Sequence, residues 1–256
     1  MRPVRGRRWF LGRIAAAAGG LVLAGCDRLS RTGWFPPILE RAEALTQAVQ
    51  RRVVPRDALA REYGEADLSP SFRSNGTDEP DDEGYLALAE NDFADWSLEV
   101  GGLVERPLKL SLADLRAMPA RTQITRHDCV EGWSAIGKWT GVPLAQVLAR
   151  AGVRREARYA VFRCADPMEG TPESRYYESI DMVDAYHPQT ILAYGLNGAP
   201  LPVANGAPLR LRVERQLGYK MAKYVMSIEL VESFAGIAGG RGGYWEDRGY
   251  EWYAGI

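Results

Sequence analysis

The stretch Arg126-His127-Asp128-Cys129-Val130-Glu131-Gly132-Trp133-Ser134 decides the fold. Its first half is typical of the end of a β-strand, and Gly132 marks a turn directly after it. On a strand, His127 and Cys129 lie two positions apart and therefore share a face. The stretch predicts a strand-to-turn corner that holds a cysteine rigidly against a pocket.

Taken alone, Cys129 allows several interpretations. It could be a buried core residue, a disulfide partner of Cys164, a nucleophile activated by His127 or His187, or the ligand of a soft metal. The two cysteines and the two histidines could also form a zinc site, although their long, irregular spacings are not typical of one. With three cysteines in 256 residues, no disulfide framework holds the fold together.

The sequence around this corner is rich in strands. Short β-branched or alternating runs occur at residues 97–100, 123–126, 159–163, 191–194, 209–215 and 224–230. Two short helices interrupt them, one capped by Ser111 with Asp114, the other beginning at Pro143 and ending before Gly152. Strands outnumber helices without regular alternation, which predicts a mixed α+β fold and not a doubly wound parallel sheet.

A second polar segment runs from Asn205-Gly206-Ala207-Pro208-Leu209-Arg210 to Lys220 and Lys223. Asn205 and Gly206 can turn the backbone toward a ligand, and Arg210 offers a planar fork for phosphate. A turn that leads to an edge strand with solvated basic side chains would show the same composition. The sequence contains neither a Gly-x-x-x-x-Gly-Lys-Ser/Thr loop nor a Gly-x-Gly-x-x-Gly turn after a strand, so it gives no support to a nucleotide-binding fold.

The first 25 residues have the pattern of an export signal. Paired arginines in Arg7-Arg8-Trp9-Phe10-Leu11 resemble a twin-arginine motif, and an apolar run at residues 14–24 follows. Leu23-Ala24-Gly25-Cys26 resembles a lipobox, which predicts cleavage before Cys26 and lipidation of its sulfur. Removal of residues 1–25 leaves 27 Lys and Arg against 33 Asp and Glu, so no nucleic-acid partner is indicated.

The remaining chain divides into three predicted regions. Residues 26–90 form an N-terminal tether, with an amphipathic helix at 38–52 and an irregular loop at 67–84. Residues 91–235 form the compact domain. Residues 236–256, rich in glycine and aromatic side chains, are an extension of that domain, most simply an extended segment packed over it.

Five motifs, in this order, resemble the molybdopterin-binding domain of the sulfite oxidase family, most closely its exported bacterial branch, which includes protein-methionine-sulfoxide reductase. They are Cys-Val-Glu-Gly-Trp-Ser at 129–134, Trp139 with Gly-Val-Pro-Leu at 141–144, His-Pro-Gln-Thr at 187–190, Asn-Gly-Ala-Pro-Leu-Arg at 205–210 and Gly-Tyr-Lys-x-x-Lys at 218–223. The resemblance implies a strand-rich α+β fold of the sulfite oxidase type.

By this resemblance Cys129 supplies the thiolate that ligates molybdenum beside one pterin. Other residues implied to hold the cofactor are Asn91, Asp95, Cys164, Asn205, Arg210, Met221, Ala222 and Lys223. Arg126 and His127 are candidate catalytic residues because they flank the cysteine, and Lys138 and Arg215 are further cations that could face the metal. Cys164 stands where the reductase branch has threonine, so it is either a weak thiol contact or a sulfur without a role.

The resemblance also implies the reaction. It would be a two-electron oxygen-atom transfer on a small sulfur-oxo compound, either sulfoxide reduction or sulfite oxidation. Electrons would pass to or from a separate partner, plausibly a membrane b-type cytochrome. The catalytic unit is expected to be a monomer, lipid-anchored on the outer face of the membrane or in the periplasm, and exported folded with its cofactor. The alternatives are a metal-free lipoprotein that serves as a binding or assembly module, and a disulfide-bonded structural domain.

Overall fold

The structure is a computed structural model that describes residues 31–256. The predicted signal and the lipidation site at Cys26 lie outside these residues. The chain divides into two units, Met1–Val53 and Val54–Ile256. Among the described residues of the first unit, helix α1 (Phe35–Val53) is the regular element, and it contains the predicted amphipathic helix. Within the described residues no helix is both long and apolar enough to cross a bilayer.

The second unit is a mixed α+β structure of ten strands, as the sequence predicts. The strands are β1 (Ser97–Gly102), β2 (Leu108–Ser111), β3 (Arg121–Cys129), β4 (Trp133–Pro143), β5 (Tyr159–Pro167), β6 (Arg175–Asp181), β7 (Ile191–Leu196), β8 (Ala199–Pro200), β9 (Arg210–Arg212) and β10 (Val225–Val231). The helices are α2 (Glu83–Glu90), α3 (Leu112–Ala117), α4 (Leu144–Ala151) and α5 (Met182–Ala185). This unit begins at Val54, so residues 54–90, assigned to the tether from sequence, belong to it.

The strands form two sheets that share a core. One has the order β2-β1-β10-β5-β6, and the other has the order β3-β4-β7-β8 with β9 also paired to β7. All pairs are antiparallel except β1 with β10. Leu98 and Phe162 of the first sheet belong to the same buried cluster as Leu192 and Leu211 of the second. The shared core fixes the corner after β3 relative to the end of β5.

Both predicted short helices are confirmed with their caps. Ser111 accepts a hydrogen bond from the Asp114 backbone N–H at 3.1 Å, and Asp114 accepts one from the Ser111 backbone N–H at 2.9 Å. Helix α4 ends at Gly152, whose φ of 69° is the left-handed conformation that glycine adopts without strain. Leu144, Val147, Leu148 and Ala151 form its buried face.

Six regular elements have no counterpart among those predicted from the sequence: β2, β4, β6, β8, α2 and α5. The alternation of β4 is hidden because two of its inward positions are glycines. At Gly141 a Cβ atom would lie 2.2 Å from the Leu192 carbonyl oxygen, so the close approach of β4 and β7 requires glycine there. Helix α2 begins after the Asp82 cap, inside the stretch 67–84 for which the sequence suggested an irregular loop.

Candidate functional site

Cys129 ends strand β3 and faces a cavity. The turn after it closes with a 3.0 Å hydrogen bond from the Gly132 N–H to the Cys129 carbonyl, and Gly132 has a φ of 85°. Strand alternation buries Gln123, Thr125, His127 and Cys129 on one face of β3. The predicted corner is therefore present, and the exposed fraction of Cys129 is only 9%.

The cavity encloses about 730 Å³ including its mouth. Six segments of the chain meet around it: a loop at 75–77, the turn at 129–131, the end of β5 with Met168, Tyr176 of β6, a turn at 218–223, and the C-terminal segment, by which we mean residues 239–256. Its lining residues are Asn75, Gly76, Thr77, Cys129, Val130, Glu131, Asp166, Met168, Tyr176, Gly218, Tyr219, Met221, Lys223, Trp245 and Tyr250. The site is built from residues far apart in the sequence.

The two cysteines have different surroundings. Both are free thiols, so the disulfide alternative is wrong. Burial raises the pKa of Cys129, and the charge of Glu131 acts in the same direction, while the Glu131 N–H and the charge of Arg210 oppose it. A coordinated metal deprotonates such a thiol outright. Cys164 is a residue of β5 that belongs to the hydrophobic core and does not line the cavity, and burial raises its pKa well above the usual value.

Arg126 is not part of the cavity, which corrects its assignment as a catalytic residue. It lies on the opposite face of β3 from Cys129, its side chain is half exposed, and its guanidinium pairs with Asp128 at 3.0 Å. Lys138 and Arg215 also lie outside the cavity lining. Lys138 pairs with Glu65, and Arg215 with Asp184.

His127 is buried behind the cavity and does not line it, so its catalytic assignment is also corrected. The Arg212 guanidinium lies 3.0 Å from His127 Nδ1, and because arginine can only donate, Nδ1 is the acceptor and Nε2 carries the proton. Burial, followed by the charges of Arg210 and Arg212, lowers the pKa of His127 well below its usual value. The neutral ring contacts Met221 Sδ at 3.2 Å and thereby supports the turn that borders the cavity.

We expect Gly218→Ala to destabilise the protein, because a Cβ atom there would lie 2.4 Å from His127 Cε1 and Nε2. The loss should be about 1–3 kcal/mol of unfolding free energy, as for other overpacked cores. Urea denaturation measures it. Gly101→Ala is the matched control, since nothing lies within 4 Å of its Cβ position and its φ is not in the left-handed region. Equal stability of the two variants would contradict the proposed packing of His127.

Arg210 and Lys223 form a buried basic cluster beside the cavity. Arg210 donates to the Asn205 carbonyl at 3.1 Å and to Asn75 Oδ1 at 2.8 Å. Lys223 Nζ donates to the carbonyls of Asn75 at 2.8 Å and Ala204 at 2.7 Å. Neither cation forms an ion pair with any residue that the structure describes. Burial, followed by the charge of Arg212, lowers the pKa of Arg210 to about 9. Burial, followed by the charge of Arg210, lowers the pKa of Lys223 to about 7.

These residues fit an anionic group that also carries hydrogen-bond acceptors. Arg210 Nε and Asn205 Nδ2 are buried donors without an acceptor among the described residues. Buried donors normally find partners, so an absent partner points to a ligand. A phosphate would supply both the missing negative charge and the missing acceptors. A molybdopterin carries such a phosphate, and the thiol of Cys129 opens into the adjacent cavity.

The remaining predicted cofactor residues divide into two groups. Met221 lines the cavity, while Ala222 is buried and its carbonyl accepts from the Leu211 N–H at 2.8 Å. Asn91 and Asp95 are exposed, bond to one another at 2.7 Å and do not line the cavity. The loop at 75–77 lies beside Arg210 and Lys223, because Asn75 accepts a hydrogen bond from each of them.

The C-terminal segment forms part of the cavity wall. The rings of Trp245 and Tyr250 stack with centroids 5.4 Å apart, and both line the cavity. Glu246 anchors the segment in the interior, where its carboxylate pairs with Lys220 at 2.5 Å. Aromatic side chains of this segment therefore border the same cavity as Cys129.

Residues 85–235 match the family described as the oxidoreductase molybdopterin binding domain. A putative protein-methionine-sulfoxide reductase subunit, YedZ1, of Azospira oryzae is 39% identical over 249 residues, which cover 97% of this chain and 87% of that protein. The protein-methionine-sulfoxide reductase catalytic subunit MsrP of Xanthomonas axonopodis pv. citri is 40% identical over 171 residues, 63% of this chain and 52% of that protein. This chain thus spans about half the length of that relative.

Among solved structures, the sulfane dehydrogenase SoxCD from Paracoccus pantotrophus is similar, with a TM-score of 0.50 and 26% identity. The match covers 55% of this chain and 39% of that chain. The similarity supports the strand-rich α+β architecture described above.

Proposed function

The chain belongs to the family of oxidoreductase molybdopterin binding domains, and we propose that it holds one molybdopterin with a mononuclear molybdenum and reduces a sulfoxide. Cys129 would provide the protein ligand to the metal, because thiolate suits soft metals. Arg210, Lys223 and Asn205 would hold the phosphate side of the pterin. When bound, this group supplies oxygen-atom exchange coupled to a two-electron change at the metal.

The composition of the cavity favours a sulfoxide over sulfite. Sulfite is an anion, so a site that binds it needs cationic side chains that are not already engaged by other groups. A sulfoxide is neutral and carries apolar substituents. Lys223 is the one cationic residue in the described lining, and backbone carbonyls surround its ammonium. Met168, Tyr219, Trp245 and Tyr250 provide an apolar, aromatic wall. This wall is the observation that carries the proposal, and the names of the two sulfoxide reductase relatives agree with it.

The test compares the two reactions on purified, molybdenum-loaded protein. We expect oxidation of reduced viologen when methionine sulfoxide or another small sulfoxide is added, and little reduction of an electron acceptor when sulfite is added. The Cys129→Ser protein serves as the blank. Sulfite oxidation faster than sulfoxide reduction would contradict the proposed direction. Absence of both reactions, together with absence of bound molybdenum after expression with an intact cofactor supply, would favour the metal-free binding or assembly module.

The electron partner and the location are also proposals. We infer a separate electron-transfer partner in the membrane, such as a b-type cytochrome, because the two relatives are named as subunits. Lipidation of Cys26 after twin-arginine export would hold the domain beside that partner. Folded export also suits a cofactor that is inserted before the chain crosses the membrane.

We expect Cys26→Ser to uncouple the enzyme from its partner without damaging the catalytic unit. Membrane vesicles supplied with a quinol should reduce the enzyme markedly more slowly, because the lipid no longer raises the concentration of the enzyme beside its membrane partner. Viologen-driven turnover should stay unchanged, which is the internal control. Equal rates with vesicles for the lipidated and unlipidated proteins would refute the role of the anchor.

A further inference from the structure

Asp166 is a buried carboxylate on the cavity wall that has no assigned role. It lies near the end of β5, where the pairing with β6 shifts register between Arg163 and Pro167. Its exposed fraction is 4%, and it lines the same cavity as Cys129. Its Oδ1 atom is buried without a hydrogen-bond partner among the described residues. A buried carboxylate without a paired cation is costly, so its retention on a cavity wall points to chemistry.

The surroundings of Asp166 favour its protonated form. Burial raises the pKa of this carboxyl to about 7, against the opposing charge of Lys223 and a hydrogen bond from Thr77. The titratable groups that interact with it from the neighbouring elements are Lys223, Tyr85, Tyr224, Tyr176 and Cys164. Lys223 is the one cation of this set, and it forms no ion pair with Asp166. A protonated Asp166 can therefore donate into the cavity near neutral pH.

The reaction proposed above consumes protons. Reduction of a sulfoxide breaks its S=O bond, and the oxygen leaves as water by taking two electrons and two protons, while the sulfur becomes a thioether. The electrons come from the separate one-electron partner, or from reduced viologen in an assay. We propose that Asp166 is the general acid that delivers one of these two protons from its carboxyl, and that solvent water then reprotonates it. This inference rests on the proposed sulfoxide reductase function.

Other acidic groups of the described cavity lining are less suited to this role. Glu131 is exposed, and both its oxygens have partners, the Trp133 Nε1–H at 2.9 Å and the Gly76 N–H at 3.4 Å. The Tyr176 hydroxyl already donates to the Tyr219 carbonyl, and burial raises its pKa well above the usual value. Asp166 combines burial, a free oxygen and access to the cavity.

The first test is the pH profile of Asp166→Asn. A general acid must be protonated, so wild-type turnover should be full at low pH and fall as the pH rises through the pKa of Asp166. In Asp166→Asn we expect kcat to fall about 100-fold, which is the low end for general acid catalysis. We also expect the decrease in rate at high pH, the alkaline limb of the profile, to disappear. Molybdenum content should match the wild type. Asp166→Glu should restore part of the rate, and the alkaline limb of its profile should return at a different pH.

Two comparisons make the result decisive. Glu131→Gln should leave the alkaline limb in place, and a limb that moves with Glu131 but not with Asp166 would overturn the proposal. An active wild type whose rate and pH profile are unchanged in Asp166→Asn would also overturn it, while leaving the sulfoxide reductase function intact. An inactive wild type would instead refute the proposed function itself.

A readout independent of turnover covers the case in which Asp166→Asn loses its cofactor. Infrared difference spectra of the wild-type holoenzyme, recorded as the pH is raised, should show loss of a protonated-carboxyl C=O band near neutral pH. The band should be absent from Asp166→Asn and present in Glu131→Gln. If the wild type shows no carboxyl that titrates in this range, Asp166 is not the proton donor.

Discussion

Cys129→Ser is expected to give a folded protein with less than about a tenth of the wild-type molybdenum, because a hydroxyl replaces the soft sulfur ligand. The thiol faces the cavity beside the basic cluster, and the change in side-chain volume is small. Sulfoxide reduction should disappear with the metal. Metal analysis after expression with an intact cofactor supply measures the first effect, and the viologen assay the second.

Cys164→Ser is the matched control, since it makes the same chemical change at the other free thiol. Cys164 is buried within the core and does not line the cavity, so its variant should keep its molybdenum while losing some stability. Loss of molybdenum from the Cys164 variant would restore the alternative in which this thiol contacts the pterin. Full retention of metal in Cys129→Ser would refute the ligand assignment.

The sequence predicted those parts of the fold and site that depend on local pattern. The corner at Cys129 followed from a strand that runs into Gly132, and helix α4 from its proline and glycine ends. Strand alternation alone could have excluded Arg126, because an odd separation from Cys129 places the two side chains on opposite faces. Alternation placed His127 correctly on the same face as Cys129, but it gives no information on how deeply a side chain is buried behind the cavity.

Local sequence pattern could not identify the loop at 75–77 as part of the site. Asn75 bonds to Arg210, which lies 135 positions away in the chain, and an irregular segment has no periodicity that would reveal such a partner. The same limit applies to Asn91 and Asp95, which bond to each other at the end of α2 and do not line the cavity. Asp166 gave no sequence signal either, because its significance depends on burial and on an oxygen without a partner.

Lys220→Met is expected to cause a large loss of stability in the domain. The ammonium of Lys220 lies between the carboxylates of Glu178 and Glu246, and all three side chains are essentially inaccessible to water. Removal of the cation leaves two buried acidic groups without their counter-ion. The expected cost is about 3–5 kcal/mol of unfolding free energy, as for other buried ion pairs that lose one partner. Urea denaturation at neutral pH measures it.

The loss should depend on pH in a defined direction. Burial, followed by the charge of Glu246, raises the pKa of Glu178 well above its usual value, even with Lys220 present to oppose it. A carboxyl whose pKa is higher in the folded state binds its proton more tightly there, so it stabilises the fold at low pH and this contribution disappears as the pH rises. The Lys220→Met deficit should therefore shrink as the pH is lowered. Lys109→Met, in an exposed pair with Glu99 at 4.0 Å, should cost less than about 0.5 kcal/mol at every pH.

The same substitution should also release the C-terminal segment and open the cavity. Glu246 is the buried anchor of this segment, and Trp245 and Tyr250 on either side of it line the cavity. Hydrogen exchange at residues 239–256 should become faster in Lys220→Met, and the KM for the sulfoxide should rise because the aromatic wall is no longer held in place. Unchanged exchange in this segment, alongside a lower global stability, would show that other contacts hold the wall. The Lys220 cluster therefore links the stability of the domain to the shape of its substrate cavity.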